Sequence, residues 1–361
     1  MKLELYKPKY RTEECLSEIK ECLREGCVGV GEKTTQFEYL WKEYANLPHA
    51  LFLNSGSSSL FLAIKALKIK NDWSYRSEII STPFTWIAPN YAISQNNLKV
   101  TFADIDESLN LDPESVKKKI NQHTKAILFV GVGGNPKNLD KIANIAKKNG
   151  LKLILDGSHM AGSHLNKVHV GREADASIFS FNPTNNIPTA DGGMLCMKSE
   201  EMHELVKELS FFGFNEDRTN ITHPGFKYSP NSLNAALGII GLKYLDHDNE
   251  QREKIAQLYE KTLGSYSIKH NCISSRHLYQ IVVEDRDTVQ EKLEELGIQT
   301  GIHYERSTKY PPYTAFSTPP NTSYYIDRVL SLSLHLQLTE GDVVTVADSV
   351  KKIIKCTCEC H

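Results

Sequence analysis

The sequence predicts an α/β protein. A mainly parallel sheet covered by helices should be followed by a smaller α+β domain. Two observations carry this expectation. Short apolar runs alternate with helical stretches from the N-terminal third onward. A long helical segment, Asn231 to Leu263, then leads to a second group of elements. The 361 residues suffice for a large core and two domains. The expected division is 1–245, carrying the larger site-bearing sheet, and 246–361.

Residues 12–25 place Leu16, Ile19 and Leu23 at helical spacing. The run from Phe37 to Tyr44 reads as a second helix. His49 to Leu53 is a short apolar strand. It meets the small polar turn Asn54-Ser55-Gly56-Ser57-Ser58-Ser59 and then a helix from Leu60. Strands follow at Glu78–Ser81, Val100–Asp104, Ala126–Val130, Lys152–Asp156, Ala176–Ser180 and Gly193–Met197. Functional groups in such a sheet belong on loops at the strand ends. The C-terminal group comprises a strand at Leu278–Val283, a helix from Arg286 to Leu296, a strand at Gln299–Tyr304 and a helix from Gly341 to Lys355.

Composition narrows the function class. The chain is 40% hydrophobic and 24% charged, with a formal net charge of -2. No basic field points to nucleic acid, and Lys117-Lys118-Lys119 and Lys147-Lys148 read as solvated helix faces. No apolar run is long enough for a membrane span. Acid and base in Met1-Lys2-Leu3-Glu4-Leu5 argue against a signal peptide, so a cytoplasmic location is expected. Of eight cysteines, five are scattered and expected to be reduced thiols. Cys356, Cys358 and Cys360 alternate before His361. A frayed terminus rather than a soft-metal site is expected there, because terminal residues lack fixed geometry.

Three places carry candidate chemistry. Gly56, Ser57 and Ser58, with Ser180, could cradle an anion at a helix N-terminus. Ser57 could equally be a helix cap. Trp86, just beyond a strand, offers a flat surface for a ring or a core aromatic. Asp156 ends an apolar strand. A buried acid there needs a cationic partner, such as a protonated ring nitrogen, or a capping role.

The chain resembles the DegT/DnrJ/EryC1/StrS family of fold-type I pyridoxal-phosphate enzymes, chiefly nucleotide-sugar aminotransferases. The similarity runs through Ser55-Gly56-Ser57, Phe84-Thr85-Trp86, Phe102-Ala103-Asp104, Leu155-Asp156-Gly157-Ser158-His159 and Phe179-Ser180-Phe181-Asn182-Pro183-Thr184. It continues through Asp191-Gly192-Gly193, Gly225-Phe226-Lys227-Tyr228, Gly301-Ile302-His303-Tyr304 and Leu332-Ser333-Leu334-His335. The resemblance implies that Ser57, Ser58 and Ser180 bind phosphate. It implies that Trp86 stacks on the cofactor ring and Asp156 meets the pyridinium nitrogen. It also implies a homodimer with shared active sites, Lys227 reaching toward the neighbouring subunit.

The departures are as informative. Asn185 stands where the family has the lysine that anchors the cofactor. His159 stands where the family usually has Gln. Gly131 to Gly134 replace a stretch that commonly carries His, and Ser229 a position often filled by Arg or Asn. An amide has no nucleophilic amine. Losing a positioned acid–base group costs about 10²–10⁴ in rate. The resemblance therefore implies pyridoxal or pyridoxamine 5'-phosphate held noncovalently, a nucleotide-linked keto-sugar substrate, and glutamate as amino donor. The family's sugar 3-dehydratases replace the same lysine with histidine, whose pKa suits a base. Asn185 cannot serve so. His159 either supplies a base or hydrogen-bonds the cofactor oxygen. A catalytically inactive family member, or a lysine-replaced variant of an aminotransferase, that binds a nucleotide sugar or a partner protein is the alternative. His303 and Tyr304 could touch substrate or pack a strand end.

Overall fold

A computed structural model describes residues 2–358. In chain order, α1 (Thr12–Arg24) and α2 (Glu32–Ala45) precede β1 (Leu51–Leu53) and α3 (Gly56–Lys70). Next come β2 (Glu78–Ser81), α4 (Ile87–Gln95), β3 (Lys99–Phe102), α5 (Pro113–Lys119), β4 (Thr124–Val130), α6 (Leu139–Lys148) and β5 (Lys152–Asp156). A two-stranded hairpin, β6 (His164–Leu165) and β7 (Val168–His169), leads to β8 (Ala176–Ser180), β9 (Gly193–Met197) and α7 (Glu200–Ser210). The rest comprises α8 (Ser232–Lys243), α9 (Leu245–Leu263), β10 (Tyr279–Val282), α10 (Arg286–Glu295), α11 (Pro320–Ile326), β11 (Val329–Leu332) and α12 (Glu340–Cys358).

The central sheet has seven strands in the order β1-β9-β8-β5-β4-β2-β3. Strand β9 runs antiparallel to both β1 and β8, and the other pairings are parallel. Successive strand residues feed opposite cores, as a two-residue side-chain period requires. Ile79, Leu128 and Ile154 pack into one cluster, and Ile80, Phe129 and Leu155 into the other. Both faces are therefore covered, and polar function is confined to the strand ends. A third core cluster joins α9, α12, β10 and β11 around Tyr259, Tyr279 and Leu330.

Several sequence expectations need adjustment. The segment 231–263 is two helices, broken at Tyr244, where φ is -107° and ψ is 3°. The strand expected over 299–304 does not form, and only Gly301 bridges to Ser331. Its chain is crowded: a Cβ at Gly301 would lie 2.6 Å from Leu5 Cδ2. Strand β10 instead pairs with β11. On α1 the inward residues are Cys15 and Cys22, whereas Leu16 and Leu23 are 54% and 61% exposed. No described helix is long and apolar enough to cross a membrane. No group of His, Cys, Asp or Glu among the described residues could hold a metal ion. Cys356 is exposed at the end of α12, while Cys360 and His361 lie outside the described residues.

Candidate active site

A cavity of about 470 Å³ opens at the carboxyl ends of β4, β5 and β8. The N-terminus of α3 and the segment 302–304 complete its walls, with Tyr6 contributed from the start of the chain. Of the residues singled out in the sequence, Gly56, Ser57, Trp86, Asp156, His159, Ser180 and Asn185 line it. Ser58 and Lys227 do not.

The α3 terminus shows how Ser55, Ser57 and Ser58 divide their work. Ser55 is the cap, its hydroxyl oxygen accepting the Ser58 N–H at 3.1 Å. The capping role considered for Ser57 thus falls two residues earlier. Ser57 is exposed to the cavity, and its hydroxyl has no hydrogen-bond partner among the described residues. The Ser58 hydroxyl is buried instead, its one proton shared between Asn54 Oδ1 at 2.7 Å and the Ser55 carbonyl at 2.8 Å, and it does not line the cavity. Ser180, ending β8, presses against the helix start. A Cβ at Gly56 would stand 2.8 Å from Ser180 Cβ. Glycine there lets two free hydroxyls and the amide end of a helix converge, which suits an anion.

Asp156 ends β5 and is 5% exposed. Its Oδ1 accepts the Ser158 N–H at 3.0 Å and the Ser158 hydroxyl at 2.5 Å. No described residue donates to Oδ2. Burial raises its pKa, only partly offset by Ser158. Trp86 precedes α4 and is 61% exposed, its indole uncovered at the cavity edge.

His159 is held on three sides. Its Nδ1 accepts the Gly133 N–H at 3.2 Å, and its Nε2 lies 2.8 Å from Tyr304 Oη. His277 stacks on it at 3.9 Å between centroids. Burial, with a smaller contribution from His303, pushes its pKa down to about 3. At neutral pH the ring is uncharged and both nitrogens are engaged, so it has no free lone pair to act as a base.

Asn185 is buried, and its backbone N–H donates to the Asn182 carbonyl at 2.9 Å. Its side-chain amide hydrogen-bonds to no described residue. No lysine lines the cavity. Lys227 is exposed, its Nζ 4.3 Å from the Phe211 ring centroid and 3.3 Å from Ser229 Oγ.

Sequence reasoning missed Tyr6, Thr85, Ser158 and His277 as lining residues. Thr85 and Ser158 were adjacent to named residues and could have been found by neighbourhood. His277 carried no signal. It is placed by a hydrogen bond between its Nδ1 and Asn186 Oδ1 at 3.0 Å.

Residues 9–351 match the DegT/DnrJ/EryC1/StrS aminotransferase family. The chain belongs to that family. It is 30% identical over 357 residues to the UDP-4-amino-4,6-dideoxy-N-acetyl-beta-L-altrosamine transaminase of Campylobacter jejuni, covering 93% of this chain and 94% of that protein. Among solved structures it resembles Helicobacter pylori PseC, an aminotransferase of pseudoaminic acid biosynthesis. That likeness has a TM-score of 0.93 and 26% identity, covering 99% of this chain and 100% of the other. It also resembles Bacillus subtilis NtdA solved with bound PMP, with a TM-score of 0.86 and 25% identity, covering 95% of this chain and 82% of that one. These neighbours place the fold among the fold-type I aminotransferases anticipated from the sequence.

Proposed function

We propose that this protein binds pyridoxal or pyridoxamine 5'-phosphate without a covalent tether and acts on a nucleotide-linked keto-sugar. The observation that carries the reading is the Asn185 amide, facing the cavity in a wall that contains no lysine. The cavity fits the cofactor. Ser57, Ser180 and the α3 amides suit its phosphate, the bare Trp86 indole suits its ring, and Asp156 Oδ2 suits a protonated ring nitrogen. When bound, that group supplies an electron sink for chemistry at the carbon bearing its nitrogen. The protein's own part is to hold the phosphate, keep the ring nitrogen charged and exclude bulk water. The names of the Campylobacter and Helicobacter relatives support a sugar substrate.

Glutamate as amino donor belongs to the same reading. So does a homodimer in which Lys227, exposed and outside its own cavity, serves a neighbouring site. A noncatalytic sugar-binding role is the competing reading. It leaves the buried, half-satisfied Asp156 without a purpose.

The test is borohydride reduction in the presence of pyridoxal phosphate, followed by mass mapping. Wild type should bind the cofactor yet carry no label on a cavity residue, whereas Asn185→Lys should be labelled at that position. Failure of the wild type to bind either cofactor form would refute the proposal. Adding glutamate and nucleotide 4-keto-sugars then separates turnover from mere binding.

A further inference from the structure

The hydrogen bonds around His159 have a direction, and that direction reaches into the cavity. The Gly133 N–H can only donate, so His159 Nδ1 must be the acceptor across their 3.2 Å contact. A neutral imidazole carries one proton, which is therefore on Nε2. That N–H donates to Tyr304 Oη at 2.8 Å. A phenol oxygen that accepts in this way still has its own O–H to give, and no described residue accepts it. Tyr304 lines the cavity, with its ring 6.2 Å from the Trp86 indole. His277 stacks on the imidazole at 3.9 Å between centroids and covers one of its faces.

We propose that Tyr304 is the cavity's hydrogen-bond donor to the ring oxygen of a bound pyridoxal-type cofactor, and that His159 is a positioning residue that orients it. The inference rests on the reading in the preceding section. Burial holds the phenol pKa well above its ordinary value, so the proton stays on Oη and the group remains a donor. His159 cannot offer that contact itself, because both its nitrogens are committed. The oxygen recognised is an anionic or hydroxyl oxygen on the flat ring that Trp86 faces.

The experiment combines two measurements. Nitrogen-15 spectra of the histidines in the ligand-free protein report the tautomer. The proton should sit on Nε2 of His159, and the Nε2 signal should move in Tyr304→Phe. Equilibrium titration with pyridoxal phosphate, followed by absorbance across pH, reports the donor. Tyr304→Phe should weaken binding about tenfold to a hundredfold, the usual scale for a hydrogen bond to a charged group. It should also shift the pH at which the bound ring's spectrum changes. His159→Leu should lose a similar factor, and the double variant little more. His159→Gln should recover most of it, since its amide can accept from Gly133 and donate to Tyr304. Wild-type binding with Tyr304→Phe unchanged in affinity and pH profile would overturn the inference alone. A proton on Nδ1 would do the same. A wild type that binds no pyridoxal phosphate would remove both this inference and the proposed function.

Discussion

Asp156 gives a prediction with opposite signs in two assays. Its carboxyl is buried, and only Oδ1 is satisfied, by Ser158. Burial raises its pKa above the ordinary 3.8, so the folded ligand-free protein binds a proton more tightly than the unfolded chain. Between those two pKa values the native state holds more protons, and stability falls as pH rises through that window. Asp156→Asn removes the charge, and its amide oxygen can still accept from Ser158. The ligand-free variant should therefore melt higher than wild type at neutral pH. Each ~1 kcal/mol relieved should raise Tm by roughly 2 °C in a chain of this size. The same change deletes the acceptor for a cationic ring nitrogen. A lost charge-assisted hydrogen bond of about 1.5–3 kcal/mol corresponds to roughly 10- to 150-fold weaker cofactor binding. Differential scanning calorimetry and pyridoxal phosphate titration measure the two effects. A variant that melts lower without ligand, or binds the cofactor as well as wild type, would refute the reasoning.

Three further outcomes are expected. Glu38 accepts the Phe52 N–H at 2.7 Å, and burial pushes its pKa from 4.5 up to about 7. Its raised pKa makes stability drain away as pH climbs from about 4.5 to 7, on the order of 2–3 kcal/mol, and Glu38→Gln should flatten that slope in Tm-against-pH curves. Gly193→Ala would set a Cβ 2.4 Å from the Ser55 carbonyl oxygen, a backbone atom that cannot rotate away, and should cost about 1–3 kcal/mol in urea unfolding. Trp86→Ala, at an exposed position, should leave Tm nearly unchanged. It should weaken cofactor binding by about 2- to 12-fold, the scale of an aromatic stacking contact, measurable by fluorescence titration.

The sequence made the sheet legible because its strands are buried on both faces and read as unbroken apolar runs. Asp156, Ser180 and Gly56 were legible because they sit at or just beyond the ends of those runs, where the sheet opens onto the cavity. The capping serine was misplaced because Ser55, Ser57 and Ser58 offer the same local chemistry, and only backbone angles separate them. The facing of α1 was unreadable for a similar reason. Cys15 lies beside Leu16 and Cys22 beside Leu23, about 100° apart around the helix, and tertiary packing chose the thiols. His277 and Tyr6 were invisible because they enter from distant segments whose local patterns say nothing about the cavity. The expected strand over 299–304 is reduced to a single bridge from Gly301 to Ser331, while Gln299 N–H donates to the Leu3 carbonyl, a long-range pairing no local window contains.

Strand β1 sits at the sheet edge and is joined only through β9, with Leu51 opposite Leu195. The strand that leads into α3 thus gains its sheet partner only after the chain as far as Met197 has emerged and turned back. Tyr6 waits longer still, for His303, its hydrogen-bonded neighbour at 2.7 Å. Such distant closures are slow to find because loop entropy is lost before any contact forms. During synthesis, then, the anion-binding corner should mature after the central parallel strands, and the cavity should close only once nearly the whole polypeptide is available.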